Sequence, residues 1–465
     1  MSTLSATPAE VSSQAGRDVL GFHTAPPGGD LLDQARRAAT RLTGRHGVVR
    51  WCRRYPEVPG LPTVPVFVAR GPKRVAGGRR PSFDIIGMGV SDDPDDAWLK
   101  AVVEAVERYC FALPHDATLV ERRSYRQVAG SAVPLERFRS LTDAQLRSRP
   151  SVRFPGPDDA IDWAWAYSLT RKEFALVPAV FAYPTVGLGP PNNLTTSVHS
   201  TGVSCHVSVE AALLAGLLEV VERDAIMLHW LHRRPPRRIT PSESPAGDLV
   251  ALLQGHFTLD DFEFVLLDIT TDTSIPTICC QAISANPRRP AAAFGAACRT
   301  EPVAAARKAL FEVAQVLSGL DGLKCDATTV LAESAVRYIW DHARFYASAS
   351  TAPIIEFLTS SEESVGLDAV GEAVPERLGV GGGLQSCVDR LAARGLEVLA
   401  VDLTPEDVAR CGLRTVKVLV PGMIDINGDA RFPNLGATRV RTAPSAMGWP
   451  DISEDRLNLA PCPMS

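Results

Sequence analysis

Two apolar stretches of this chain each carry a pair of glutamates three residues apart, followed by arginine. They are Glu104-x-x-Glu107-Arg108 within AWLKAVVEAVERYCFAL and Glu219-x-x-Glu222-Arg223 within VEAALLAGLLEVVERDAIMLHWLH. A related third stretch, VAAARKALFEVAQVL, holds Glu312-x-x-Gln315. On a helix, a spacing of three puts both members of a pair on one face, one turn apart. Two carboxylates on an otherwise buried face repel each other and lose hydration, so they persist where a cation neutralises them. Arg108 and Arg223 supply part of that charge, and for a single helix a structural salt bridge is the simpler reading. Repetition changes the balance, because four carboxylates against two arginines leave negative charge for a hard divalent ion with oxygen ligands. Magnesium takes one or two protein carboxylates and completes its shell with water and substrate phosphates. The spacing therefore predicts a magnesium-nucleotide cavity between helices. It does so without a phosphate loop, since Gly381-Gly382-Gly383 lacks the G-K-[ST] ending.

Local signals place these motifs on helices. Asp93 can cap and Pro94 can open the first, which stops before Pro114. The second begins near Ser208 and ends before Pro235 and Pro236. The third opens at Glu301-Pro302 and is expected to stop at Gly319. An amphipathic piece covers Leu31–Leu42, and strands are expected at Phe264–Ile269, Glu397–Leu403 and Thr415–Val420. The glycine tract reads as a flexible connector to a helix near Leu384–Arg394. Short apolar runs alternating with long helical ones give an α/β fold. Residues 1–30, rich in Ser, Ala, Pro and Gly, read as a mobile tail. Residues 31–80 read as a segment packing on one large domain over 81–465, which ends in a Pro-rich tail. Ser200-Thr201-Gly202-Val203-Ser204-Cys205-His206 feeds into the second helix and offers N–H groups to an anion, or simply caps the helix.

A formal charge of −5 argues against nucleic acid as the main partner. The ten cysteines show no C-x-x-C pair and no zinc spacing, the pattern of dilute reduced thiols. No secretory signal and no bilayer-length apolar run is visible, so a cytoplasmic, membrane-free protein is expected.

The segments S-T-G-V-S and E-A-A-L-L-A-G-L-L-E-V-V-E-R-D-A closely resemble the central motif of YcaO-domain proteins. G-M-G-V-S-D-D-P-D-D-A-W-L-K-A-V-V-E-A-V-E-R-Y resembles that family's first motif, and Glu312-x-x-Gln315 its third. V-D-L-T-P-E-D-V-A-R-C-G-L and V-L-V-P-G-M fit its C-terminal strands, so the likeness covers roughly residues 80 to 465. The resemblance implies a YcaO fold that binds ATP and Mg2+. It implies Glu104, Glu107, Glu219 and Glu222 as magnesium-linked groups. Ser204, Arg223 and Gln315 are implied to face the nucleotide, with Glu312 and Lys100 in the same set. Pro461-Cys462-Pro463-Met464-Ser465 resembles the P-x-P-x-P terminus that reaches the active site in azoline-forming members. That assigns a catalytic place to Pro461, Pro463 and Ser465, although the last proline is here a serine. Two positions depart from the pattern: Val207 stands where Asn is usual, and Ala211 where Glu is usual, with Glu210 beside it. His206 and His342 are given no catalytic role, and Cys279-Cys280 is read as strand packing. The resemblance implies an ATP-dependent cyclodehydratase acting on a precursor peptide, served by a separate leader-binding partner, with a homodimer possible. Its rivals are a thioamide- or amidine-forming enzyme and a non-catalytic scaffold subunit.

Overall fold

The computed structural model describes residues 30–72, 85–113, 119–150, 152–183, 199–240, 243–375, 380–426 and 428–464. The expected mobile tail lies almost wholly, and Ser465 entirely, outside the described residues. Helix α1 (Leu31–Leu42) leads into β1 (Trp51–Arg54), β2 (Val66–Arg70) and β3 (Ile86–Val90), and then α2 (Pro94–Phe111). Strands β4 (Leu119–Ser124), β5 (Ala160–Ser168), β6 (Glu173–Pro178) and β7 (Val203–His206) precede α3 (Val209–Leu231). Next come β8 (Arg237–Thr240), β9 (Glu263–Asp268), β10 (Thr277–Ile283), β11 (Ala292–Cys298) and α4 (Pro302–Gly322). The chain finishes with α5 (Ile339–Tyr346), β12 (Ser364–Gly366), α6 (Val380–Ala392), β13 (Leu399–Asp402), β14 (Arg414–Leu419) and α7 (Arg439–Ala446).

The strands form three sheets, ordered β1-β2-β3, β4-β5-β13-β14-β7 with β6 beside β5, and β11-β10-β9-β8-β12. The long helices stitch them together. Helix α2 packs on β3 and β7, α3 on β7 and β11, and α4 on β11 and β3. Each of these strands is thus shared by two helices, and the six elements close a ring. Gly89 of β3 lets α2 come close, since a Cβ there would lie 2.0 Å from the Ala97 carbonyl oxygen. Gly295 of β11 does the same for α4, where a Cβ would meet the Val313 nitrogen at 2.3 Å.

The capping logic holds. The Asp93 side chain accepts from the Asp95 and Asp96 amides with Pro94 behind it, and Ser208 accepts from Ala211. Helix α3 is apolar all round because it is the central helix: Leu213, Leu217, Leu228 and Leu231 are fully buried. Each such side chain contributes about 1.5–3 kcal/mol of transfer free energy.

Two expectations are corrected. Helix α4 passes through Gly319 and ends at Gly322. Gly319 is there for space, because the Trp340 ring lies 2.4 Å from where its Cβ would be. The glycine tract is no connector: Gly381, Gly382 and Gly383 form the first turn of α6. All ten cysteines are free, and the Cys279–Cys280 pair lies within the buried strand β10. No helix among the described residues is long and apolar enough to cross a membrane.

Candidate nucleotide and magnesium site

The acidic pairs point into the ring, and each glutamate is fixed by a different stretch of backbone. Glu104 accepts from the Met88 amide of β3 at 2.9 Å, and Glu107 from the Cys205 amide of β7 at 2.9 Å. Glu219 accepts from the Gly202 amide at 2.9 Å, and Glu222 from the Cys298 amide of β11 at 3.2 Å. Gly202 sits at φ +80°, where a Cβ would lie 2.3 Å from the Val418 carbonyl oxygen, so no other residue offers its N–H there without strain. The backbone engages one oxygen of each carboxylate, and in Glu104 the other oxygen accepts from Arg108.

The carboxylates act on one another across the helices. Burial, together with the Glu104 and Glu219 charges, pushes the Glu107 carboxyl up to about 8, against the Cys205 amide and Arg108. Burial also raises Glu222; Arg223 and Lys308 oppose this, while Glu312 and Glu219 add to it. Glu312 is lowered overall, since the Lys308 ammonium, with Arg223 and Arg299, outweighs its burial. Arg108 donates to Glu104 at 3.1 Å and to the Ser200 hydroxyl. Arg223 stands 3.6 Å from Glu219 and 3.7 Å from Glu222, too far for good hydrogen bonds to either. Its buried Nε has no hydrogen-bond partner among the described residues.

The remaining expected residues take different places. Ser204 is buried in β7 opposite Val416 of β14. Gln315 is half-buried one turn beyond Glu312. Lys100 is exposed, its ammonium 2.7 Å from Asp96 and 5.4 Å from the centre of the Phe311 ring. Val207 packs against the apolar cluster around α2. Pro461 and Pro463 are buried, with Cys462 between them close enough to Arg223 for the guanidinium to act on its thiol.

The sequence reading missed three groups. Lys417 of β14 donates to the His199 and Thr201 carbonyls at 2.8 and 2.6 Å. Burial pulls its ammonium down to about 8, opposed by Asp425 and Glu219. Asp425 accepts from the Thr201 hydroxyl at 2.8 Å. These residues, with Val220, Phe138 and Phe181, line a cavity of about 130 Å³; Val220 follows Glu219 on α3, and none of the four glutamates is in the lining. A lone lysine inside the apolar strand TVKVL was the available signal for Lys417. The third group, His342 with Tyr346 and Trp230, holds the C-terminal segment; the sequence singled out His342 but gave it no role.

Residues 88–424 match the sequence profile of the family described as YcaO cyclodehydratase, ATP- and Mg2+-binding. This chain belongs to the YcaO family.

An uncharacterised protein of Methanothermobacter thermautotrophicus is 29% identical over 281 residues, covering 59% of this chain and 69% of that one. Among solved structures, a heterocyclase in complex with substrate and cofactor matches with a TM-score of 0.78 at 22% identity. The match covers 96% of this chain, which spans 60% of the heterocyclase's length. YcaO from Methanopyrus kandleri bound with AMPPCP and Mg2+ matches with a TM-score of 0.61 at 20% identity, over 85% of this chain and 92% of that one. At these identities the structures establish the YcaO fold.

ATP and Mg2+ are therefore the cofactors of this YcaO chain, and the residues present fit them. Carboxylates that burial and mutual repulsion drive toward the neutral acid are the groups a divalent cation would ionise. The orphaned Nε of Arg223 is a buried donor suited to a phosphate oxygen. No three metal-ligating side chains form a cage among the described residues, which suits an ion that shares its shell with phosphates.

A pH effect follows for the metal-free protein. Glu107 holds its proton up to about pH 8 when folded against an ordinary 4.5, so its contribution to stability falls as pH rises between those values. In metal-free buffer, Glu107→Gln is expected to melt within about a degree of wild type at pH 5 and a few degrees higher at pH 8. Calorimetric melts at the two pH values check this; equal differences at both would refute the assigned burial of charge.

Proposed function

We propose that this YcaO protein is the ATP-dependent cyclodehydratase subunit that activates backbone amides of a ribosomally made precursor peptide. The observation that carries this reading is the convergence of acidic pairs from separate helices, each glutamate locked by a backbone amide, beside a buried C-terminal strap. Glu104, Glu107, Glu219 and Glu222 would hold magnesium, and Arg223, Ser204 and Gln315, supported by Glu312 and Lys100, the nucleotide. The chain's part is then positioning and charge neutralisation.

A Cys, Ser or Thr side chain of the peptide would attack the preceding amide carbon. The amide oxygen would take the γ-phosphoryl group of ATP and leave as phosphate, closing an azoline ring. Arg223 would hold negative charge on the transferring group. Pro461 and Pro463 would shape the wall against which the peptide amide is presented. A separately encoded partner would capture the leader of the peptide.

The test is mass spectrometry of the co-encoded peptide after incubation with this protein, the partner and Mg-ATP. Loss of one water per modified residue is expected. Exchange of oxygen for sulfur would replace the azoline reading with thioamidation, and no ATP-dependent mass change would favour a scaffold role.

A further inference from the structure

Between Gln34 and Pro56 the chain carries seven arginines and one histidine and no aspartate or glutamate, against a formal charge of −5 for the whole. The fold gathers most of these arginines into one surface. The Gly44 amide donates to the Val49 oxygen at 2.8 Å, and the Val49 amide to the Leu42 oxygen at 3.0 Å. These bonds set Arg50 beside the last turn of α1, where Arg41 stands. The Arg50 amide donates to the Arg70 oxygen at 2.7 Å, and Trp51 stands opposite Arg70 across β1 and β2. Arg41, Arg45, Arg50, Arg53 and Arg70 are exposed, and none of them meets a carboxylate among the described residues. Arg36 and Arg54, by contrast, are paired with Asp95 and Glu57. The Arg53 guanidinium lies over the exposed Trp51 ring, 5.2 Å from its centre.

The same surface ends in a sheet edge, because β1 is the outer strand of β1-β2-β3. The Tyr55 amide donates inward to the Val66 oxygen at 2.7 Å, and Arg53 stands opposite Val68. Beyond Arg50, bonding sides alternate along the strand, so the N–H and C=O groups of Cys52 and Arg54 point away from β2. Basic residues on an edge strand also keep other strands away. A charge on the strand itself meets that need, whereas here the charge continues past β1 over the loop and onto α1. Like charges gathered without partners repel at a cost in stability, which opposite charges from another chain reverse.

We propose that β1 is a docking edge for an extended, acidic segment of a partner protein, which adds as a strand and sets carboxylates against Arg50, Arg53 and Arg70. A strand supplies both donors and acceptors to the main chain of Cys52 and Arg54, whereas a row of phosphates supplies acceptors alone. Main-chain pairing gives affinity, and the arginines with Trp51 select the acidic sequence. The far strand of the same sheet, β3, holds Glu104 through the Met88 amide. A docked segment therefore extends the sheet that positions this carboxylate. The inference goes beyond the proposed function and does not depend on which reaction the partner serves.

The test uses the full chain and a fluorescent synthetic peptide of alternating glutamate and valine, read by anisotropy at low salt. Saturable binding is expected, weakened about tenfold by the double change Arg50→Glu with Arg53→Glu. It is also expected to fade as salt approaches about 1 M, where the Debye length is about 3 Å. N-methylation of successive amides in the centre of the peptide keeps every charge and removes the donors on both edges of the strand. That change is expected to weaken binding about tenfold as well. In wild type, hydrogen exchange is expected to slow about tenfold at the Cys52 and Arg54 amides when the peptide binds. Exchange at Tyr55, already bonded to Val66, is expected to hold. This measurement needs no variant, so it decides the matter even where the double change prevents folding.

Four results overturn the proposal. Without saturable peptide binding there is no site. Binding indifferent to N-methylation, or exchange unchanged at Cys52 and Arg54, makes the surface a patch of charge and no docking edge. Single-stranded oligothymidylate bound more tightly than the peptide makes it a nucleic-acid surface. None of these results bears on cyclodehydration, which the mass of the precursor peptide reports separately.

Discussion

Glu219→Gln is expected to lower ATP turnover about a thousandfold while leaving the fold intact. The glutamine oxygen can still accept the Gly202 amide, so the loop before β7 keeps its anchor. What is lost is the charge on the second oxygen, which we assign to magnesium. A bound divalent ion supplies several kcal/mol of charge stabilisation to a transferring phosphoryl group, which sets the size of the effect. Glu219 is the most informative of the four because Glu107, Arg108, Glu222 and Arg223 all feel its charge. Phosphate release checks the loss, and a circular dichroism melt near that of wild type checks the fold. A loss below about tenfold would mean that Glu219 is a structural partner of Arg223 and no more.

Arg439→Leu is expected to give the largest loss of stability, about 3–5 kcal/mol, because it leaves buried carboxylates uncompensated. Arg439 is 3% exposed and bridges two helices and a loop: its Nε meets Asp224 at 2.8 Å and its Nη2 meets Asp272 at 2.6 Å. Asp224 is fully buried; burial raises it, and Arg439 with the Ile424 amide opposes the rise. Without the guanidinium, Asp224 retains the Ile424 amide at 3.0 Å and Asp272 retains Arg394. Denaturant unfolding of Arg439→Leu reads the loss, and the pair Arg439→Leu with Asp224→Leu is expected to recover part of it. If the single change costs less than about 1 kcal/mol, water reaches this site and the triad is not dry. Asp224 follows Arg223 directly, so the same triad fixes the turn of α3 that presents Arg223 to the centre.

The long helices and the acidic spacing were legible in the sequence because both are local. Asp93 with Pro94 and Ser208 act within one turn, and E-x-x-E needs no knowledge of the rest of the chain. The turn-level errors share one cause. Gly319 and the Gly381–Gly383 tract were read by intrinsic preference, whereas the structure uses Gly319 to seat Trp340 and the tract as helix. At Gly319 tertiary space overrode propensity. The site was half legible. The ring of three helices and three strands, the backbone amides that fix each glutamate, and the Lys417–Thr201–Asp425 group join residues far apart in the chain. So does the hold on the strap, where His342 and Cys462 are 120 positions apart. No periodicity reports such pairs.

The central claim is that the acidic pairs share divalent metal with the phosphates of a nucleotide. Manganese in place of magnesium, with a nonhydrolysable ATP analogue and the full chain, allows pulsed electron paramagnetic resonance to read the neighbours of the ion. The account predicts a protein-bound ion coupled to nucleotide 31P, and loss of the bound fraction in Glu107→Gln and in Glu219→Gln alike. A signal identical to that of the free manganese-nucleotide complex, or one indifferent to both substitutions, would contradict it.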